Sequence, residues 1–550
     1  MVKKHQRKII IAILIIAGLL VYVNALPNKF VWDDEEQVVN NTVIREWGNL
    51  PVILTSGTFY AGGAGLSGSF YRPLVSLFYF LNYQIWGLQS WGFHLFQIIF
   101  HLINVILVYL LLEKILSDFK ISHFKESAFL TALIFAVHPA NVESVAYVGG
   151  IAEILYAFFI LSAFYILALG INLEKGTMGG KFFYWSMILS FFGLLAKESA
   201  AAIFPIMALY LYFLFKPGLK FWLKYFIPSS VFVIGFDIIL RTFAARIPFN
   251  QPNFSPIAQD GFIVRLLTLP YELFYYFKTV FFPYVLVTSR QFTVNSLSDI
   301  RFWGPLLILA FIGFLVFILI KKQRQESWKP HSFFISWFFM AIFPALNIVV
   351  PLDMTVAERW LYFPMIGIIA PVSVASVQAI ERLSLNWRRL AFIILGIIIV
   401  ALSVRTIVRN ADWRDGLTLF SHDIEYSKES FNLENNIGVE LFRAGKIDKA
   451  AGHFRKSILL QPRWSASQNN LGAVLERNGD LEGALAQYKK AIEISDYHLA
   501  CENMAGILIK MKKYDEAETF LENALRKFPA NNTLKWQLYW IIQNKTKVEL

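Results

Sequence analysis

The stretch NKFVWDDEEQVVNN, residues 28–41, sets Asp33 beside Asp34, with Glu35 and Glu36 directly behind. A carboxylate whose pKa lies near neutrality can take a proton from an attacking hydroxyl, and adjacent carboxylates can also ligate a hard divalent cation. Further along stand Tyr71-Arg72-Pro73, His138-Pro139 with Glu143 and Glu153, Lys197-Glu198, Asp353, and Glu358-Arg359. A planar guanidinium such as that of Arg359 suits bidentate phosphate contact, Lys197 can act as a point charge, and Arg72 is a weaker candidate for the same task. A base together with a phosphate clamp fits transfer of a group from a phosphorylated donor to a hydroxyl. The residue types leave open whether Asp33 and Asp34 act as base or as metal ligands.

These groups sit in a chain whose composition belongs to lipid. Of 550 residues, 56% are hydrophobic and only 16% charged, which excludes a soluble globular protein and implies a polytopic membrane protein with lipid as its first partner. The net charge of +12 is gathered into short clusters between apolar runs, KKHQRK (3–8), KKQRQ (321–325) and RLSLNWRR (382–389). That arrangement is an orientation signal, so nucleic acid is not an expected partner. A single cysteine, Cys501, excludes an intramolecular disulfide and a cysteine-rich metal site.

Apolar runs near 9–26, 93–113, 127–146, 151–171, 182–196, 200–215, 222–240, 303–320, 332–350, 360–380 and 389–407 give about eleven spans of bilayer length. The first is read as a retained span, because no small-residue cleavage site precedes the acids. With the N-terminus in the cytoplasm, every short basic loop falls inside. The acids and cations named above then fall on the outer face, and ionisable groups gathered on one face of a membrane mark a site. The run 265–289 carries Pro270, Glu272, Lys278 and Pro283, and crossing there would flip every later loop. It is expected as a re-entrant or interfacial element on the outer side. His94 and His101 lie seven apart on one helical face with Asn104, a pattern that favours interhelical hydrogen bonds over metal ligation.

Beyond residue 407 the chain is soluble and repetitive. NNIGVELFRAGKIDKA (435–450), NNLGAVLERNGDLEGA (469–484) and ENMAGILIKMKKYDEA (502–517) recur at spacings of 34 and 33 residues, the period of tetratricopeptide helix pairs. Gly438, Gly472 and Ala505 take the small position where paired helices cross, and Ala450, Ala484 and Ala517 open the second helices. Phe454, Tyr488 and Leu521 follow on the same face; Pro462, Asp496 and Pro529 close the units. The expected architecture is therefore all-α: a membrane domain over 1–410, with a first outer loop at 27–92, and a repeat domain over 411–550 capped by a last helix. The repeats are expected on the outer side, presenting a concave surface to a partner polypeptide.

The segments FVWDDEEQVVNN, YRPLVSLFYFLNYQIWGLQSWGFHLFQIIFHLINVILVYLL, ALIFAVHPANVESVAYVGG, GLLAKESAAAIFP and AERWLYFPMIG, in that order and followed by the repeats, resemble the transmembrane and tetratricopeptide-repeat family of protein O-mannosyltransferases and its prokaryotic relatives. The resemblance covers nearly the whole chain. It implies a GT-C-type glycosyltransferase whose donor is a polyprenyl- or dolichyl-phosphate monosaccharide; attack on the face opposite the phosphate would invert the sugar in one displacement. Residue by residue, the family's acidic pair falls on Asp33 and Asp34, its His-Pro and following Glu on His138, Pro139 and Glu143, its Lys-Glu on Lys197 and Glu198, and its Glu-Arg on Glu358 and Arg359. The sequence departs at Ile151 and Ala152, where relatives carry a basic residue.

On this reading Asp33 or Asp34 is the base, Arg359, Lys197 and Arg72 hold the donor phosphate, and His138, Glu143, Glu198 and Glu358 support the site. The lipid-linked sugar is a co-substrate, and a divalent cation on the acidic pair is the alternative use of those acids. The expected location is a bacterial inner membrane with the repeats in the periplasm, or an endoplasmic-reticulum membrane in a eukaryote. A non-catalytic repeat scaffold and a transporter of polyprenyl-linked substrate are the competing classes, the latter disfavoured because the polar groups do not run through the membrane's depth.

Overall fold

A computed structural model describes residues 2–59, 70–244, 255–322, 328–495, 497–529 and 531–548, which divide into two compact units, one ending at Asp415 and the other opening at Gly416. Asp496 and parts of the first outer loop and of the basic loop after Lys322 lie outside the described residues. Among those described the fold is helical, apart from a hairpin pairing Ile171–Asn172 antiparallel with Thr177–Met178 and a single bridge between Arg290 and Val356.

Among the described residues of the first unit, six helices are long and apolar enough to cross a membrane: His5–Ala25, Ser90–Asp118, Val148–Leu169, Glu198–Phe215, Leu219–Thr242 and Leu385–Asp412. Phe124–Val137 and Pro139–Ala146 are apolar and long enough only when taken together, as a broken span or a re-entrant loop, and the pair turns by 53°. The break follows from Pro139, which supplies no N–H to the preceding turn. Three more expected spans are shorter apolar helices, Gly180–Ala196, Ile300–Phe314 and Ile366–Glu381. The run at 332–350 forms the helix Trp328–Ile342 and then tightens into a 3-10 turn at Phe343–Ala345, again around a proline, Pro344. The polar apolar run at 265–289 becomes the helix Phe262–Phe281, which ends before Pro283. Its Glu272 is buried and accepts a hydrogen bond from Asn347 Nδ2 at 3.2 Å.

Ile151–Leu169 is the most enclosed of these helices, whereas Leu385–Asp412 leaves almost its whole apolar length uncovered, as a lipid-facing helix can. Close approach is arranged by glycine where it matters. A Cβ on Gly367 would meet Phe338 N at 2.5 Å and Phe334 O at 2.6 Å, so helices Ile366–Glu381 and Trp328–Ile342 touch backbone to backbone. The first unit runs past the expected boundary at 410, because Asn410 and Trp413 are buried in it.

The second unit begins with the helix Gly416–Tyr426 and continues as three helix pairs: Phe431–Arg443 with Ile447–Leu460, Ser465–Arg477 with Leu481–Ile494, and His498–Lys510 with Tyr514–Lys527. Asn532–Val548 closes the array, with Leu534 and Ile541 buried against the third pair. Ala450, Phe454, Ala484, Tyr488, Ala505, Ala517 and Leu521 are buried at the positions the repeat demands. A Cβ on Gly438 would lie 2.6 Å from the Phe454 ring, and one on Gly472 2.6 Å from the Tyr488 ring, which is why the aromatic pairs carry glycine and Leu521 tolerates Ala505.

Candidate active site

The acidic loop leaves the first helix and is fastened at once by polar contacts from elsewhere in the unit. Asn28 Nδ2 donates to Asn410 O at 3.0 Å, and the Lys29 N–H donates to Arg414 O at 2.9 Å. Ser90 Oγ donates to Asn28 O at 2.8 Å, and His94 Nε2 lies 3.2 Å from the same oxygen. His101 Nδ1 is 2.8 Å from the Tyr362 hydroxyl, and Asn104 Nδ2 donates to Ile154 O at 2.9 Å. Asn104 thus makes the interhelical hydrogen bond expected of this face and His101 Nε2 lies 3.4 Å from Ala136 O on a neighbouring helix, whereas His94 reaches the loop carbonyl of Asn28.

Trp32 then adopts φ of +58°, a left-handed conformation that a bulky side chain rarely takes. It is held there by stacking: Trp32 lies on Tyr147 at 5.5 Å between ring centroids, and Tyr147 lies on Trp413 at 5.2 Å. The kink divides the two acids. Asp34 turns inward and is fully buried; its Oδ2 accepts the Val31 N–H at 2.9 Å and its Oδ1 the Gly149 N–H at 2.7 Å. Asp33 remains half-buried, with the Tyr147 hydroxyl donating to its carboxylate. Burial pushes the Asp33 carboxyl up to about 6, against the opposing pull of Arg359 and of Tyr147 and with a smaller push from Asp353. Burial likewise raises Asp34, against its two N–H donors, and raises Asp353 at the exposed rim.

The expected pair is therefore two residues with different tasks. Asp34 is a tie between the acidic loop and the Gly149 turn, and Asp33 keeps a face open to solvent. The tie needs glycine at 149 and 150: a Cβ on Gly149 would meet the Tyr147 hydroxyl at 2.4 Å, and one on Gly150 the Glu143 carbonyl at 2.6 Å. A shared metal does not fit this geometry, since both Asp34 oxygens face N–H donors and Asp33 alone offers too few ligands for a hard divalent cation. Among the described residues, no group of three or more His, Cys, Asp or Glu side chains is placed to hold a metal ion.

The cations come to the acidic loop already paired. Glu143, fully buried, accepts the Arg359 N–H at 2.9 Å and also bonds the Arg359 guanidinium, which lies 5.6 Å over the Trp32 ring. That carboxylate raises the Arg359 pKa despite burial. Lys197 pairs with Glu153, and Arg72 Nη2 reaches Glu198 Oε2 at 3.0 Å. Glu198 is shared with a residue sequence reasoning missed, Arg241, whose Nη1 lies 2.7 Å from Glu198 Oε1 and whose Nε lies 2.7 Å from Asp237 Oδ2. Arg241 ends an apolar span and so reads as a helix-end anchor. Arg72, Lys197, Arg359, Asp33 and Asp353 stand in one another's electrostatic field.

His138 and Glu358 have no open face. His138 Nδ1 accepts the Ala140 N–H at 3.1 Å and Nε2 donates to Val280 O at 2.9 Å, so the ring caps the turn after Pro139 and ties it to helix Phe262–Phe281. Glu358 accepts the Val287 N–H and holds the following segment against that helix. Both are engaged by backbone groups of neighbouring segments. Tyr147, Trp32 and Trp413 are aromatic residues whose sequence positions carry no signal of their roles; only Tyr147's place just before the Gly-Gly pair hints at one.

This chain is similar to Protein O-mannosyl-transferase TMTC3 of Homo sapiens, 27% identical over 474 residues and spanning 80% of this chain, and to Protein O-mannosyl-transferase Tmtc3 of Drosophila melanogaster, 24% identical over 509 residues and spanning 81%. These relatives are protein O-mannosyl-transferases. The chain covers 50% of the human and 54% of the fly O-mannosyl-transferase. Tetratricopeptide repeat models match residues 435–498 and 499–530, inside the second unit. The structure of ArnT from Cupriavidus metallidurans bound to undecaprenyl phosphate is 12% identical, with a TM-score of 0.41, 86% of this chain covered and 78% of that one.

Proposed function

We propose that the chain is a membrane glycosyltransferase that moves a hexose of the mannose type from a polyprenyl-phosphate donor to a Ser or Thr hydroxyl of a polypeptide, at the extracytoplasmic face. The observation that carries this reading is Asp33: a half-open carboxyl pushed to about 6, beside Arg359 and hydrogen-bonded by Tyr147. The donor's tail stays in lipid and its phosphate at headgroup level, so the reacting carbon reaches a site at the membrane face. Asp33 takes the acceptor proton as the hydroxyl oxygen bonds the anomeric carbon. The bond from that carbon to the phosphate oxygen breaks with its electrons leaving on the phosphate, and attack opposite the leaving group inverts the sugar. The names of the O-mannosyl-transferase relatives support the acceptor class, and the basic inner loops support the sidedness.

The repeats serve as the dock for the acceptor polypeptide, a use that repeat arrays support through their concave surface. Membranes containing the chain, given a panel of radiolabelled polyprenyl-phosphate sugars, should transfer label, and Asp33→Asn should not. A fully active Asp33→Asn chain removes the base assignment, and no transfer by the wild type from any donor of the panel removes the donor class.

A further inference from the structure

The cations expected to hold the donor phosphate are matched, one for one, by acids. Arg359 has Glu143, Lys197 has Glu153, and Arg72 with Arg241 has Glu198 with Asp237. Counting Asp33 and Asp353 as well, this set carries no surplus of positive charge to meet a phosphate. Breaking the bond to phosphate moves charge onto the leaving group, so the transition state needs more positive charge than the bound donor does.

One guanidinium beside this cluster stands apart. Arg290 lies on the segment after helix Phe262–Phe281, bridged to Val356, with its carbonyl accepting the Thr355 N–H at 3.2 Å. The next residue, Gln291, donates through Nε2 to Asp353 O at 3.4 Å, so this segment runs along the stretch that leads into Glu358-Arg359. The Arg290 guanidinium sits 5.1 Å over the Tyr275 ring, and Tyr275 stands in the field of both Glu358 and Glu143. Its Nε is buried without a hydrogen-bond partner, and among the described residues no acid lies within ion-pairing distance of it. Glu358, the carboxylate of that neighbourhood, is turned to the Val287 N–H. A partly exposed arginine with a buried, unsatisfied donor is costly unless a ligand completes it.

We infer that Arg290 is the donor-phosphate anchor, supplying the unmatched positive charge while Arg359, Lys197 and Arg72 supply geometry. The assignment rests on the polyprenyl-phosphate reading above and names the residue that reads the phosphate. Its fork of N–H groups suits two phosphate oxygens at once.

The test measures binding, not turnover. The full chain in lipid nanodiscs is titrated with undecaprenyl phosphate and, separately, with undecaprenol, for wild type, Arg290→Gln and Arg290→Lys. Wild type should prefer the phosphate. Arg290→Gln should lose about tenfold or more in phosphate affinity with undecaprenol affinity unchanged, and Arg290→Lys, which keeps the charge and loses the fork, should recover part of the loss. The unchanged undecaprenol affinity reports a folded lipid site in each variant. Arg290→Gln binding the phosphate as tightly as wild type overturns the anchor while leaving the donor reading in place. A wild type that prefers undecaprenol, or binds both alike, overturns the donor reading and the anchor with it.

Discussion

Replacing Tyr147 by Phe removes one hydroxyl and keeps the ring that stacks between Trp32 and Trp413. The lost hydrogen bond favours the Asp33 anion, so its removal moves the carboxyl further up from about 6. A hydrogen bond to a charged acceptor contributes about 1.5 kcal/mol, and 1.36 kcal/mol corresponds to one pH unit, so the carboxyl should move to about 7. Asp33 works as a base only when ionised, which makes the acid limb of kcat/KM its titration curve. At pH 6 the wild type is about half ionised and the variant about a tenth, a loss of about fivefold; by pH 8.5 the two should converge. The assay is transfer from a radiolabelled polyprenyl-phosphate sugar across pH 4.5 to 9 with donor below saturation. An acid limb that stays put in Tyr147→Phe, or a profile lowered evenly at every pH, would refute the claim that this hydroxyl sets the basicity of Asp33.

Asp33 also costs stability. Its folded pKa is raised from 3.8 to about 6, so the fold prefers the protonated acid: that contribution is present below pH 4 and is lost as pH rises through 6. Asp33→Asn should therefore melt higher than wild type at pH 7.5, by at most about 3 kcal/mol and less because the side chain is partly open, with the gap closing at pH 4; differential scanning in detergent measures it. Asp34→Asn turns an amide N–H₂ toward the Val31 or Gly149 N–H, and should lower stability by about 1 to 3 kcal/mol, with activity lost alongside, as followed by thermal melting and transfer together. Gly472→Val drives a side chain into the Tyr488 ring, and should cost the repeats about 1 to 3 kcal/mol, seen as earlier proteolysis between 431 and 527 with the membrane unit intact.

What is legible in the sequence is whatever local pattern carries. The 34-residue period exposes the repeats, apolar runs expose the crossings, and residue type exposes the acids and cations. Partnership is not legible, because it depends on which ends of distant helices meet. Lys197 and Glu198 are neighbours in sequence, yet they pair with Glu153 and with Arg72 and Arg241. Asp33 and Asp34 look equivalent until the left-handed turn at Trp32 sends one inward and leaves the other open. Arg290 is hidden for the opposite reason: it belongs to no motif, and it is set apart by having no acid within ion-pairing distance among the described residues.

The contacts of Asn28 with Asn410 and of Lys29 with Arg414, together with the Trp413 stack, mean that both ends of the membrane unit fasten the same loop. The second unit, which carries the repeats, begins at Gly416, just past those fastenings in sequence. A protease cut or stop codon placed between 410 and 414 would therefore slacken the acidic loop from behind, silencing Asp33 with every acid and cation still in place. The same break one step later, after Asp415, would take away the repeats alone.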